Sequence, residues 1–284
     1  MRFLSNILFL LNIVNECFNL EKPQLFRCGF DNEKDKAINF KGYKPINKTN
    51  NLYKRRLDPD GFKDFHIYLD VKNVERDIRI YALDDYHDLL INSMKKAVET
   101  LQNLLRVKPH AYEYSFLDGD IDEELKIKDW DKNIVGTTAT LSGKTMASQD
   151  IDLIIFGTIQ TLASGTLASA SARYTDPDNA QPVIGVVKIN KEVDYSKEKS
   201  QEYFQAIVLH EFTHILGFNI QNFEDYYHNV ITQEDDFGIM RTYIISSKVV
   251  EVARKYYNCP DLEGVELEES GGEGTAGSHW EARI

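Results

Sequence analysis

The sequence predicts an α+β domain. Three observations carry this: short apolar runs of strand length at 151–156 and 182–190, a long amphipathic helical repeat from residue 84 or 85 to 105, and an almost wholly apolar helical segment from about 203 to 216. A chain of 284 residues with 42% hydrophobic content buries a substantial core, enough for one domain preceded by a leader.

The elements follow in order. A polar, lysine-rich stretch, 33–64, reads as linker, and ordered structure is expected to start with an alternating apolar strand at 78–81. Leu89, Leu90, Met94, Ala97, Val98, Leu101 and Leu105 recur at helical spacing and give the amphipathic helix its apolar stripe. Residues 151–156 and 182–190 read as buried strands, and the small, polar segment 164–178 between them reads as a loop. The 203–216 helix, with Tyr203, Phe204, Ile207, Val208, Ile215 and Leu216, stops at Gly217, where a left-handed C-cap is wanted. A last helix is expected over 241–257.

The buried helix carries His210-Glu211-Phe212-Thr213-His214. Positions i and i+4 share a helix face, so both imidazoles can bind one metal ion, and Glu211 lies roughly 100° further round, within reach of a water held there. Five residues with three fixed positions also occur by chance. Two histidines and a glutamate in an apolar helix are costly without a metal or other partners, however, and zinc satisfies them. The arrangement is that of a zinc peptidase, with Glu211 as general base.

A catalytic zinc takes a third protein ligand and keeps a position open for water. In the compact pattern of such sites a histidine stands three residues after the glycine, but that residue here is Ile220. Of the remaining histidines, His66, His87, His110, His228 and His279, the last sits in a glycine-rich approach, 271–281, whose backbone can turn sharply and pack closely. His279 is the expected third ligand, giving one zinc per chain. His228, in a polar stretch, reads as a solvated surface residue. A glutamate ligand, Glu234 or Glu251, is the alternative.

The chain resembles the leishmanolysin family of zinc metalloproteases, metzincins in which a long insertion separates the two-histidine motif from the third histidine. The resemblance lies in the stretches 208–218, 253–260, 262–268 and 274–281, and more weakly in 152–156 and 165–168. It implies a metzincin-like catalytic domain over 75–284, protein or peptide substrates and a cell-surface or membrane association. It also implies that the 183–189 strand borders the cleft and offers a free edge to a substrate peptide. A methionine turn beneath the metal and a C-terminal domain belong to the family. None of Met1, Met94, Met146 and Met240 stands where that turn is expected, so the domain is expected to be C-terminally incomplete. A catalytically weak binding or adhesion protein on the same scaffold is the alternative to an enzyme.

The first residues bear on destination. Arg2 precedes a mostly apolar run, 3–14, too short to span a bilayer comfortably and placed as a signal-peptide core, with cleavage near residues 17–19. This gives a signal peptide over 1–19, a propeptide and linker over 20–74, and a secreted or surface protein. Asn47-Lys48-Thr49 is a glycosylation sequon, and Lys54-Arg55-Arg56 a candidate processing site. A net charge of −12 and a pI near 5.1 exclude a phosphate-backbone footprint, so no nucleic-acid partner is expected.

Three cysteines occur, and Cys17 would leave with the signal peptide. By resemblance, Cys28 belongs to a propeptide segment whose thiolate caps the zinc and keeps the zymogen latent, although Phe30 stands where a histidine is usual. Cys259 falls in the mature domain, without the cysteine expected as its partner near Ala172 and Arg173.

Overall fold

The computed structural model describes residues 27–28, 43–45, 57–110, 112–114, 116, 121, 125–135, 146, 150–163, 165–176, 180–195, 201–223, 229–235, 237–269 and 277–280, some by backbone alone. The expected signal segment, the sequon, the basic triplet, His228 and the side chain of Cys28 lie outside the described residues.

A five-stranded sheet organises the molecule. Its strands are β1 (Arg27–Cys28), β2 (Ile67–Asp70), β3 (Leu153–Gln160), β4 (Thr166–Thr175) and β5 (Pro182–Asn190), in the spatial order β1-β4-β5-β3-β2. β5 runs parallel to β3 and β3 to β2, whereas β4 is antiparallel to β5. β5 lies inside the sheet, which explains its near-continuous Val and Ile run: both of its faces are covered.

Three helices cover one face: α1 (Lys72–Ile80), α2 (His87–Leu104) and α3 (Gln201–Ile215). Ile155, Ile159, Val187 and Ile189 point into this layer with Val74, Met94, Ile207 and Phe212. Alternate residues of the same strands, Ile154, Phe156, Ile184 and Val186, face the other way, where Phe116, Ile127, Trp130 and Met146 cover them. Two glycines set the helix-to-sheet spacing. A Cβ on Gly157 would come within 2.6 Å of Met94 Cε, and one on Gly185 within 2.4 Å of Ile215 Cγ2. The second contact seats the end of α3 directly on β5. Each large apolar side chain buried in these layers contributes about 1.5–3 kcal/mol.

Beyond α3, β6 (Val230–Glu234), β7 (Met240–Ile244) and β8 (Val265–Glu266) form a small antiparallel sheet in that order, with α4 (Ser247–Tyr256) between β7 and β8. Ile244, Val249, Ala253, Val265 and Leu267 tie this unit to the main core, while the β6–β7 tip leaves Phe237 87% exposed. Among the described residues no helix is long and apolar enough to cross a membrane.

Mixed helix and sheet agree with the α+β expectation, and the helix over 84–105, the strand over 182–190 and the 203–216 helix are where the sequence puts them. Four expectations need correction. Residues 78–81 are not a strand but the end of α1 and the residue after it: Val74 and Ile78 are buried one turn apart, and Ile80 is 62% exposed. The segment 164–178 is not a loop, because Thr166–Thr175 forms β4. The strand 182–190 has no free edge, since β4 and β3 flank it. On that side β4 comes next, and the two-residue β1 pairs with it at Thr166 and Ala168 as the outermost described strand. Finally, 241–257 is strand and then helix, because Asp235 accepts hydrogen bonds from the Phe237 and Ile239 N–H groups and Gly238, at φ +77°, completes a hairpin turn into β7. The sheet also takes up Ile67–Asp70, which lies within the 20–74 segment expected to be propeptide and linker.

Candidate metal centre

Helix α3 positions two of the three histidines by its own geometry. His210 and His214 stand one turn apart near its C-terminal end, 8% and 1% exposed, with Nε2 atoms 3.2 Å apart. Glu211, between them in sequence, is wholly buried.

What fixes the His214 ring is how the helix stops. Gly217 adopts φ +98°, a left-handed conformation that costs a residue with a Cβ. The Gly217 N–H donates to the His214 carbonyl at 3.0 Å and the Phe218 N–H to the Thr213 carbonyl at 3.0 Å, the paired bonds of a Schellman C-cap. The reversal returns the Phe218 carbonyl over the last turn, where it accepts a hydrogen bond from His214 Nδ1 at 2.9 Å. With Nδ1 as donor, the lone pair lies on Nε2, facing His210.

His279 arrives from a distant loop. The Gly277 N–H donates to the Glu268 carbonyl at 2.7 Å and the Glu268 N–H to the His279 carbonyl at 2.9 Å, while Leu267 bridges Trp280. The loop thus extends the β8 end of the small sheet by antiparallel pairing. Gly277 has φ +75°, and a Cβ there would stand 2.9 Å from Ile220 Cβ. Ile220, the residue that departs from the compact three-histidine pattern, is therefore the floor on which the loop docks. Trp280 packs edge-on to Phe218 with centroids 5.0 Å apart, clasping the loop to the end of α3. His279 Nε2 comes to 3.1 Å from His210 Nε2, with the two rings stacked 4° from parallel.

Among the described residues, His210, His214 and His279 are the only group of three or more His, Cys, Asp or Glu side chains close enough to hold a metal ion. Burial, and then the neighbouring histidines, holds the His210 pKa well below 6.5. Burial, and then His279, bring His214 down to about 3, against the raising effect of its bond to Phe218. Both rings are neutral at physiological pH, the form that donates to a metal. The donor set fits zinc: Nε2 separations of 3.1 and 3.2 Å are close to the roughly 3.3 Å edge of a tetrahedron with Zn–N bonds near 2.0–2.1 Å.

The other histidines go elsewhere. His66 contacts Asp150, exposed His87 contacts Asp88, and His110 bonds to the Asp152 carbonyl. Neither alternative glutamate joins the cluster. Glu234 is exposed on β6, and Glu251 is exposed and paired with Lys248 and Lys255. Met94 and Met146 are buried in the two core layers and Met240 is exposed on β7. Cys28 is described only as backbone at the outer edge of β4, and Cys259 is an exposed free thiol. Sequence reasoning missed the parts played by Phe218, Ile220, Gly277 and Glu268. For Gly277 the glycine-rich context was the available signal.

Comparison with known proteins decides the family. A family model described as leishmanolysin matches residues 82–284. The chain belongs to the leishmanolysin family of zinc metallopeptidases. Among its relatives, a leishmanolysin homolog of Crithidia fasciculata is 34% identical over 110 residues, covering 37% of this chain and 16% of that protein. Leishmanolysin of Leishmania major is 31% identical over 144 residues, 49% of this chain and 23% of its own length. A leishmanolysin-like peptidase of Drosophila pseudoobscura pseudoobscura is 54% identical over 41 residues, 14% of this chain and 6% of that protein. In each case the match spans under a quarter of the leishmanolysin relative.

Proposed function

We propose that this leishmanolysin-family chain is a secreted or cell-surface zinc endopeptidase that hydrolyses peptide bonds in proteins. The observation that carries the reading is the convergence of three imidazole Nε2 atoms within hydrogen-bonding distance in the chain His279–His210–His214, beside a wholly buried Glu211. His210, His214 and His279 would hold the ion. When bound, zinc supplies Lewis acidity that polarises the scissile carbonyl and makes water acidic enough to ionise near neutral pH. Glu211, on the helix but outside the ligand trio, takes the proton of the attacking water on its carboxylate and delivers it to the leaving amine nitrogen. Burial strengthens that exchange by excluding competing solvent.

Cys28 caps the centre in the latent chain on this reading, its thiolate taking the position that water needs. Cys28→Ser should hydrolyse a peptide without mercurial treatment, whereas the parent should need it. A parent rate that rises on treatment while untreated Cys28→Ser stays slow would assign the cap to another group.

The deciding experiment separates metal from chemistry. The full chain should contain about one zinc and cleave a denatured protein. Glu211→Ala should keep the zinc and lose about 10²–10⁴-fold in rate. Equal cleavage by both chains would show that the activity belongs to something else, and zinc without cleavage in the parent would favour a binding protein on the same scaffold.

A further inference from the structure

His279 has no helix behind it, and one residue recurs in the contacts that hold its loop. The Glu268 backbone donates to the His279 carbonyl and accepts from the Gly277 N–H, at 2.9 and 2.7 Å. The Glu268 side chain faces the same histidine, with Oε2 3.7 Å from Nδ1. That ring atom is the one not directed at His210, since Nε2 makes the 3.1 Å approach. The two side chains are 24% and 13% exposed, so their attraction is only partly screened. At 3.7 Å the carboxylate oxygen lies just beyond hydrogen-bonding distance of Nδ1, and a small ring rotation closes the gap.

We propose that Glu268 is the positioning residue for His279. Its carboxylate draws the ring proton to Nδ1, which leaves the lone pair on Nε2 and turns it towards His210 and His214. The role parallels that of the Phe218 carbonyl at His214, with one difference of chemistry. A carboxylate carries a full charge, so it also raises the donor strength of the imidazole and offsets charge brought by a dication. The inference rests on the metal-centre reading for its purpose but not for its first readout. Because the bonds that shape the loop come from the Glu268 backbone, side-chain substitutions at 268 leave them in place.

The test uses Glu268→Ala and Glu268→Gln in the full chain. In the metal-free protein, imidazole ¹⁵N NMR should find the His279 proton on Nδ1 in the parent and in Glu268→Gln, which keeps an acceptor oxygen, but shifted towards Nε2 in Glu268→Ala. Zinc affinity, measured by competition with a chelator, should fall about 10–100-fold in Glu268→Ala and less in Glu268→Gln, with one ion per chain retained. Unchanged tautomer and affinity in Glu268→Ala would overturn the proposal. So would equal losses in both variants accompanied by a lower melting temperature, which would mark a purely structural role. If the parent takes up no zinc, the metal-centre reading fails alone, and the tautomer still decides whether Glu268 orients the ring.

Discussion

The helix and the loop that meet at the centre are built on opposite principles. α3 delivers His210 and His214 by local geometry, four residues and one turn apart, and its own C-cap orients one of the rings. The 277–280 loop delivers His279 only through non-local supports: the β8 extension, the Ile220 floor and the Trp280–Phe218 clasp. The helix can therefore hold its two donors ready whether or not the loop is docked, whereas the loop depends on everything that lies between.

Ligand removal should break this contrast most sharply. His214→Ala is expected to weaken zinc binding by far more than the roughly 100-fold typical of losing an outer partner. His279→Ala should also reduce occupancy, yet leave a two-histidine chelate on α3 with measurable affinity. Titration calorimetry on both variants checks the order, and full stoichiometry in His279→Ala combined with metal loss in Glu234→Ala or Glu251→Ala would transfer the third ligand to a glutamate.

A smaller effect should appear with pH in the metal-free chain. His210 and His214 have depressed pKa values when folded, that of His214 about 3 against 6.5 when free, so below 6.5 the unfolded chain binds protons that the folded chain refuses. Stability is then complete above 6.5 and is lost as the pH falls towards 3, by up to roughly 1.4 kcal/mol per ring for each pH unit. Melting temperatures from pH 7.5 to 5 should fall, and His214→Gln should flatten the slope. An equally steep slope in that variant would place the sensitivity outside α3.

The smallest effect sharpens the loop side. Gly277→Ala forces a Cβ onto a left-handed backbone and against Ile220, costing about 1–2 kcal/mol. Loss of zinc affinity should exceed loss of melting temperature, because the strain falls on the docking of His279. Pairing it with Ile220→Gly removes the Cβ that it meets but not the backbone strain, so part of the affinity should return. No recovery would show that φ, not contact, governs the loop.

The same contrast explains what the sequence made legible. α3 and its two histidines are written in local spacing, and β5 in an unbroken Val and Ile run, so both were readable. β4 was not, because Ala168, Ser169, Ala170 and Ser171 are poor strand formers and take strand geometry from β5 beside them and from α3 packed across them. α1 was misread because Ile78 and Ile80 alternate around Arg79, whereas the buried pair is Val74 and Ile78, at helical spacing. β2 passed unnoticed for a related reason: four residues carry too little periodicity, and only pairing with Leu153, Ile154, Ile155 and Phe156 makes them a strand. At the centre, a glycine-rich context sufficed to select His279, but the carbonyl, the carboxylate and the aliphatic floor that position the rings depend on contacts between distant residues.

The Phe218–Trp280 clasp has a further consequence, for how such a chain can change length. It brings together the two ends of segment 219–279, so these residues form a closed excursion whose entrance and exit are fixed independently of what lies within. Closing such an excursion costs only about 0.6 kcal/mol more for each doubling of its length. Insertions at the exposed hairpin tip around Phe237 can accordingly accumulate, or be grafted, while the spacing between His214 and His279 in space stays constant even as their spacing in sequence drifts.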